Sequence, residues 1–467
     1  MSKQMQNTSS MKPNRKSRNS QEISSSLSDD TPKKREVFLF FGAGASAAGG
    51  YKTFLTFPYM FWRSPDSDGE LQTNQKTYKL LEQIRDQLQR KNKALTLDQY
   101  LEMLDNYKRT LRNMFSDNQL REVINQSRLS FSKAQNLNNT IERLRTNICS
   151  LTAYHYMAPP NEIDYLKRLR TFVNSLFIND KSTHVYIFTT NYDLVPEYAF
   201  SDNLDLQQYA NKYWQSANLN EGNVWDNGCF KSKNELYKFY NGFSNFRNAK
   251  LGIKTPCKDI FVDESIAGER IYWDSKSYKQ GMESNENALF IMRLHGCVAW
   301  IYNDSKAIQP GKDNKVCFNL SNPVNIKRHF ERLCVFYPGK ETPIGKQPHA
   351  LSFQIMSDLA LKLRTITFVG YAFRDIDVVS VIMNSLRDSL SIDKALKKEI
   401  ILVNPAMTVD DFYNSLAIIQ NSIATPMYKG DSDLFDSVRT KSLNMYFLNT
   451  DASTGTLIGK IKQTIGE

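Results

Sequence analysis

Beyond residue 36 the chain is punctuated by short apolar runs, each stopped by a turn-forming or polar residue. EVFLFF (36–41) meets Gly42-Ala43-Gly44-Ala45-Ser46, and HVYIFTT (184–190) meets Asn191-Tyr192-Asp193. ALFIMRL (288–294) meets His295-Gly296, TITFVG (365–370) meets Tyr371-Ala372-Phe373-Arg374-Asp375, and EIILV (399–403) meets Asn404-Pro405. A weaker run, NMYFL (444–448), leads into Asn449-Thr450-Asp451. The runs are continuous rather than alternating, as strands covered on both faces must be. They predict an α/β fold: a doubly wound, Rossmann-like parallel sheet with helical and irregular insertions. Such sheets bind ligands outside the carboxyl ends of their strands, so the residues after each run are the candidates for chemistry. Singly, each has a plain alternative, since Asn and Asp after a strand usually form turns or helix caps.

The intervals differ in character. Residues 71–180 read as helical: Leu97, Tyr100, Leu101, Leu104, Tyr107, Leu111 and Met114 recur at helical spacing. Residues 201–287 are rich in Asn, Tyr, Lys and Gly without regular period, and read as an irregular insertion. Aromatics interleaved with Lys and Arg there would suit base stacking. An insertion packed by its own rings is the preferred account of them, so nucleic acid is left open but not predicted. Residues 300–340 read as a hairpin with a Pro-Gly turn, and 406–467 as helix, strand and terminal helix. The domain reading is a basic tail, 1–36, followed by one nucleotide-binding domain, 37–467.

Composition adds limits. The tail carries eight Lys/Arg against four Asp/Glu and few large apolar side chains, so it is expected to be disordered. No apolar stretch approaches the ~20 residues of a membrane helix, and the N-terminus lacks the apolar core of a signal peptide. The six cysteines (Cys149, Cys229, Cys257, Cys297, Cys317, Cys334) form no CxxC pair. These features together predict a cytoplasmic protein without membrane contact, zinc ribbon or disulfide framework.

Gly42-Ala43-Gly44-Ala45-Ser46-Ala47 fits G-x-G-x-x-G/A after a strand, a loop whose bare backbone can approach a pyrophosphate. Small residues also serve tight helix–strand packing. The acidic residue that a dehydrogenase carries about 20 residues on, at the end of its second strand, has no counterpart in TFLTFPYMFWRSPDSDG. Hydride transfer therefore lacks its other marks.

In their order, GAGAS, TTNYD, LHG, GYAFRD and LVNP resemble the sirtuin family, and more closely its sirtuin-like branch in bacterial anti-phage defence, over roughly residues 37–405. GAGAS resembles the family's Gly-Ala-Gly-x-Ser loop. TTNYD is similar to Thr-Gln-Asn-x-Asp with Thr190 in place of Gln, and GYAFRD to Gly-Tyr-Ser-x-x-Asp with Ala372 in place of Ser. The four-cysteine zinc module of the deacylases is absent: the interval after the histidine holds only Cys297, Cys317 and Cys334, widely spaced. Their Ser-Gly-Ile-Pro-Asp-Phe-Arg segment is replaced by AAGGYKTFLTFPYMFWRS, in which Arg63 stands near the family's Arg without a preceding acid.

The resemblance implies cleavage of the nicotinamide–ribose bond of NAD+, bound as substrate, with no metal. It assigns His295 as general base, Asn191 as the holder of ribose or water, and Asp193 as the acceptor from the carboxamide. It places Gly42, Ala43, Gly44 and Ser46 along the pyrophosphate, Thr190 beside the site, and Gly370, Tyr371 and Asn404 toward the adenosine half. It further implies an NAD+ hydrolase acting in antiviral defence by depleting NAD+ (abortive infection), a homo-oligomer, and a partner ATPase or other defence protein. The alternatives are NAD-dependent deacylation or ADP-ribosyl transfer, or a non-catalytic nucleotide- or nucleic-acid-binding module.

Overall fold

All six apolar runs lie in one sheet. The computed structural model describes residues 34–47, 49–51, 104, 106, 109, 139, 141, 155–160, 162–177, 182–216, 236–243, 272–302, 316–320, 333–335, 347–392, 398–404 and 443–448. The strands in chain order are β1 (Arg35–Phe41), β2 (Thr183–Thr189), β3 (Lys238–Tyr240), β4 (Ala288–Arg293), β5 (Gly296–Tyr302), β6 (Val316–Phe318), β7 (Leu333–Val335), β8 (Thr365–Val369), β9 (Lys398–Val403) and β10 (Leu443–Leu448). The helices are α1 (Ala43–Ala47), α2 (Ile163–Ser175), α3 (Val195–Phe200), α4 (Leu204–Ser216), α5 (Ser275–Glu283), α6 (His349–Lys362) and α7 (Ile376–Ile392). Seven strands form the main sheet in the order β10-β9-β8-β1-β2-β4-β3. Every neighbouring pair in it is parallel. The fold is α/β and Rossmann-like. Among the described residues no helix is long and apolar enough to cross a membrane.

The continuous runs are explained by what each face meets. Val37, Leu39 and Phe41 join Val185, Ile187, Leu289 and Ile291 in one core, which also takes Leu166, Leu169, Phe172 and Val173 of α2. Phe38 and Phe40 point the other way, to Tyr186, Phe188, Phe290 and Met292, together with Met356 and Leu359 of α6 and Val378 and Ile382 of α7. Successive side chains on a strand alternate faces, so a strand buried twice must be apolar at every position. Each large side chain so buried contributes about 1.5–3 kcal/mol.

The chain leaves β1 to β2, goes on to β3 at the sheet edge and returns to β4 between them, then crosses back to β8, β9 and β10 on the other side. The order therefore reverses beside β1, the position at which such sheets open a crevice. Lys398 fixes the end of α6: its Nζ donates to the carbonyls of Ala360 (3.0 Å) and Leu361 (2.9 Å). A cation there suits the negative end of the helix dipole. Burial pushes Lys398 down to about 8.

Some of the chain differs from its sequence reading. The interval 201–287, expected to be irregular, holds α4, β3 and α5 among its described residues, and β3 pairs with β4 at the sheet edge. Three residues are too few to carry a periodic signal. In 71–180, residues 104, 106, 109, 139, 141 and 155–157 are helical and α2 follows; the rest of that reading lies outside the described residues. The expected hairpin after His295 is present as β5 antiparallel to β6, with β7 on its other edge. Its Pro-Gly turn, residues 1–33 of the tail and the helices expected around β10 lie outside the described residues, while Arg35 and Glu36, expected to belong to the disordered tail 1–36, instead begin β1, paired with Thr183 and His184.

Gly370, at φ +62°, anchors the crossing point. A Cβ there would lie 2.3 Å from the backbone nitrogen of Ala45. Gly370→Ala is therefore expected to lose at least about 2 kcal/mol from strain and overlap. Urea unfolding would measure it, and an unchanged midpoint would contradict the contact.

Candidate active site

The loop after β1 owes its bareness first to another stretch of backbone. Gly42 N donates to Val369 O at 2.9 Å, and Gly44 N to Gly370 O at 2.8 Å. A Cβ on Gly42 would lie 2.5 Å from Tyr371 Cα, and one on Gly44 2.8 Å from Gly370 Cα. Packing of the β1 loop against the β8 loop thus demands glycine whatever else the loop does. Ala43 and Gly44 remain exposed, whereas Gly42 and Ser46 are buried.

The β2 loop is tied to that backbone. Thr189 Oγ1 donates to Phe41 O at 2.8 Å and accepts from Asn191 N at 3.0 Å. Asn191 Nδ2 donates to Gly42 O and to Ser46 Oγ, both at 2.8 Å. A backbone carbonyl can only accept, so the amide nitrogen, not the oxygen, must face Gly42. Both amide hydrogens are thereby committed, and Oδ1 is left to meet a hydroxyl or water. Asp193 Oδ1 accepts from Val195 N at 3.0 Å at the start of α3, the ordinary helix-start role. Its Oδ2 is buried without a hydrogen-bond partner. Burial raises Asp193, against the Ser46 hydroxyl, the Val195 N–H and the Arg293 guanidinium; the Glu197 charge adds to the rise.

His295 occupies the bend between β4 and β5, where the chain passes from the parallel sheet into the antiparallel one. Gly296 follows at φ +78°, a left-handed conformation that explains why glycine succeeds the histidine. The ring is 3% exposed and its Nδ1 lacks a hydrogen-bond partner. Burial lowers His295, while the charges of Asp375 and Asp377, at the start of α7, raise it. His349 lies close by and is pushed down to about 3, by burial and then by His295. Its Nδ1 lies 3.0 Å from Leu294 O and its Nε2 3.5 Å from Cys334 Sγ. Since Leu294 O only accepts, Nδ1 carries the proton and the thiol faces a lone pair.

The residues expected after β8 and β9 form a second group. Gly370 N donates to Val403 O at 2.7 Å, and Asn404 Nδ2 to Tyr371 O at 3.3 Å. Tyr371 is buried and packs on Phe40, with ring centroids 4.4 Å apart. The Gly44–Gly370 contact joins this group to Asn191 and Ser46. His295 joins through the backbone, where Leu294 N donates to Thr189 O at 3.0 Å. Thr190 sits half-buried between Thr189 and Asn191.

Two charged residues escaped the sequence reading. Arg293 and Glu197 are 1% and 0% exposed and form a two-pronged ion pair, Nε to Oε1 at 3.1 Å and Nη2 to Oε2. Arg293 Nη1 also donates to the backbone oxygen of Asn191 at 3.0 Å. The available signal was an arginine inside ALFIMRL, a run that must be buried twice and therefore needs a carboxylate. Among the described residues no three His, Cys, Asp or Glu side chains gather as a metal site requires. Cys297, Cys317 and Cys334 are buried thiols that form no disulfide among the described residues.

The histidines make stability pH-dependent. His184, His295 and His349 all sit below the ordinary 6.5 in the folded chain, chiefly through burial. The unfolded chain then binds protons that the native one refuses, so stability is full above 6.5 and falls as pH drops below it. His349 alone is expected to remove about 2 kcal/mol by pH 5. Urea midpoints between pH 8 and 5 would show the fall; a flat profile would contradict it.

No protein-family model and no curated protein matches the chain.

Proposed function

We propose that the chain hydrolyses NAD+ to nicotinamide and ADP-ribose, in a doubly wound sheet whose crevice opens beside β1. One observation carries the reading. Asn191 and Asp193 follow β2 and His295 follows its neighbour β4, Asn191 is bonded to the Gly42–Ser46 loop, and Asp193 Oδ2 and His295 Nδ1 are buried without a hydrogen-bond partner. Buried polar atoms without partners are rare, and a ligand that supplies the partner accounts for them. Nicotinamide leaves as a neutral ring from a cationic pyridinium, so the site needs little acid. Asp193 takes a hydrogen bond from the carboxamide. Asn191 Oδ1 accepts from a ribose hydroxyl or from the attacking water. His295, kept neutral by burial, receives the proton as water adds to the oxocarbenium-like ribose. Gly42, Ala43, Gly44 and Ser46 face the pyrophosphate, and Gly370, Tyr371 and Asn404 the adenosine half.

A defence effector acting in the cytoplasm, as a homo-oligomer and beside a partner ATPase, extends this reading from the sequence resemblance. The test is incubation of the full chain with NAD+, with and without the products of neighbouring genes, followed by chromatography. Equal amounts of nicotinamide and ADP-ribose are expected. Nicotinamide appearing only with an acyl-lysine peptide would indicate deacylation, and no product under any condition would overturn the hydrolase.

A further inference from the structure

Arg293 and Glu197 lie beneath the candidate site, and nothing in the proposed chemistry uses them. A guanidinium presents five N–H donors in a fixed fork. Arg293 spends Nε and Nη2 on the Glu197 carboxylate and Nη1 on the backbone oxygen of Asn191. Glu197 lies on α3, directly after the Asn191–Asp193 loop, and Arg293 closes β4, two residues before His295. One planar group therefore holds the loop bearing Asn191 against the strand that delivers His295.

Fold stability alone gives a weak reason for such a pair. Apolar residues of similar volume in place of a buried ion pair are often neutral or stabilising. What an apolar pair cannot supply is the third bond, from Nη1 to Asn191 O. The side-chain amide of Asn191 is fixed by Gly42 O and Ser46 Oγ, each at 2.8 Å. Backbone and side chain of Asn191 are thus both held, and with both amide hydrogens committed Oδ1 is the atom left for a ligand.

We infer that Arg293, held by Glu197, is a positioning residue that sets the Asn191 loop relative to His295. The inference rests on the hydrolase reading for its kinetic consequence, while its geometric content stands apart from it. Single alanine variants would leave a buried charge unpaired and are poor tests. Two others separate the roles. Arg293→Met/Glu197→Leu removes both charges together and fills their volume. Arg293→Lys keeps a cation for Glu197 but lacks the fork that serves two acceptors at once.

Each folded variant is to be crystallised and assayed for nicotinamide release over a range of NAD+ concentrations. The expected result is Asn191 Nδ2 displaced from Gly42 O, with kcat lowered about a hundredfold, the scale of a 1 Å misplacement, and KM nearly unchanged. Asn191 retained on Gly42 O, or kcat within about twofold of the parent, would overturn the clamp. A parent chain that releases no nicotinamide would sink the hydrolase reading, and the crystal structures would still decide the clamp.

Discussion

Replacing His295 with alanine is expected to lower nicotinamide release from NAD+ by about 10²–10⁴-fold, the usual contribution of a placed general base. The ring is 3% exposed, so burial favours the neutral form that accepts a proton. Its Nδ1 has no hydrogen-bond partner, and removing it strands no donor or acceptor paired to that atom. His295→Gln, which preserves more of the volume, separates a chemical loss from a packing one. Both variants should stay folded by circular dichroism. Full turnover by a folded His295 variant would remove the base from the mechanism. The neighbouring acids give a second handle. Asp375 and Asp377 raise His295 against the larger effect of burial. Asp375→Asn takes away a negative charge, the base titrates lower, and the acid limb of the rate–pH profile is expected to move to lower pH. An acid limb that moves upward would contradict the assignment.

Glu197→Ala is expected to destabilise the fold by about 3–5 kcal/mol, the range for breaking a buried pair from one side. The loss comes from Arg293, which stays charged at 1% exposure without a counter-charge. The contrast is with Lys238 and Glu286, an ion pair whose side chains are 58% and 59% exposed. Solvent already screens that pair, and Glu286→Ala is expected to change little. Urea unfolding of the two variants side by side measures the difference, and similar midpoints would show that the Arg293 charge finds water in the folded chain. A domain holds only about 5–15 kcal/mol in all. Glu197→Ala therefore risks unfolding at ordinary temperature, which is why the paired substitution is the better probe of positioning.

The strand-end logic reached the residues that local chemistry exposes. His295-Gly296, Asn191 and Asp193 each interrupt an apolar run, and Gly296 at φ +78° could hardly be another residue. Arg293 was hidden because it belongs to such a run, and its partner Glu197 lies 96 residues earlier. The glycine loop shows a different limit. GAGAS reads as a cradle for phosphate, yet the first claim on its missing side chains comes from Gly370 and Tyr371, more than 300 residues away. Both demands produce the same letters, and only the fold separates them.

By itself, the sequence determined that six apolar runs become strands, and that the central ones are buried on both faces, because burial is imposed residue by residue through side-chain hydrophobicity. It likewise determined where each of those six stops, because turn chemistry is local. Only the tertiary structure decided that β8 lies beside β1, that β3 joins the sheet edge, and that Arg293 finds Glu197 beneath Asn191. Those outcomes depend on contacts between distant segments. Their energies come from shape and charge complementarity in three dimensions, which no window of neighbouring residues contains.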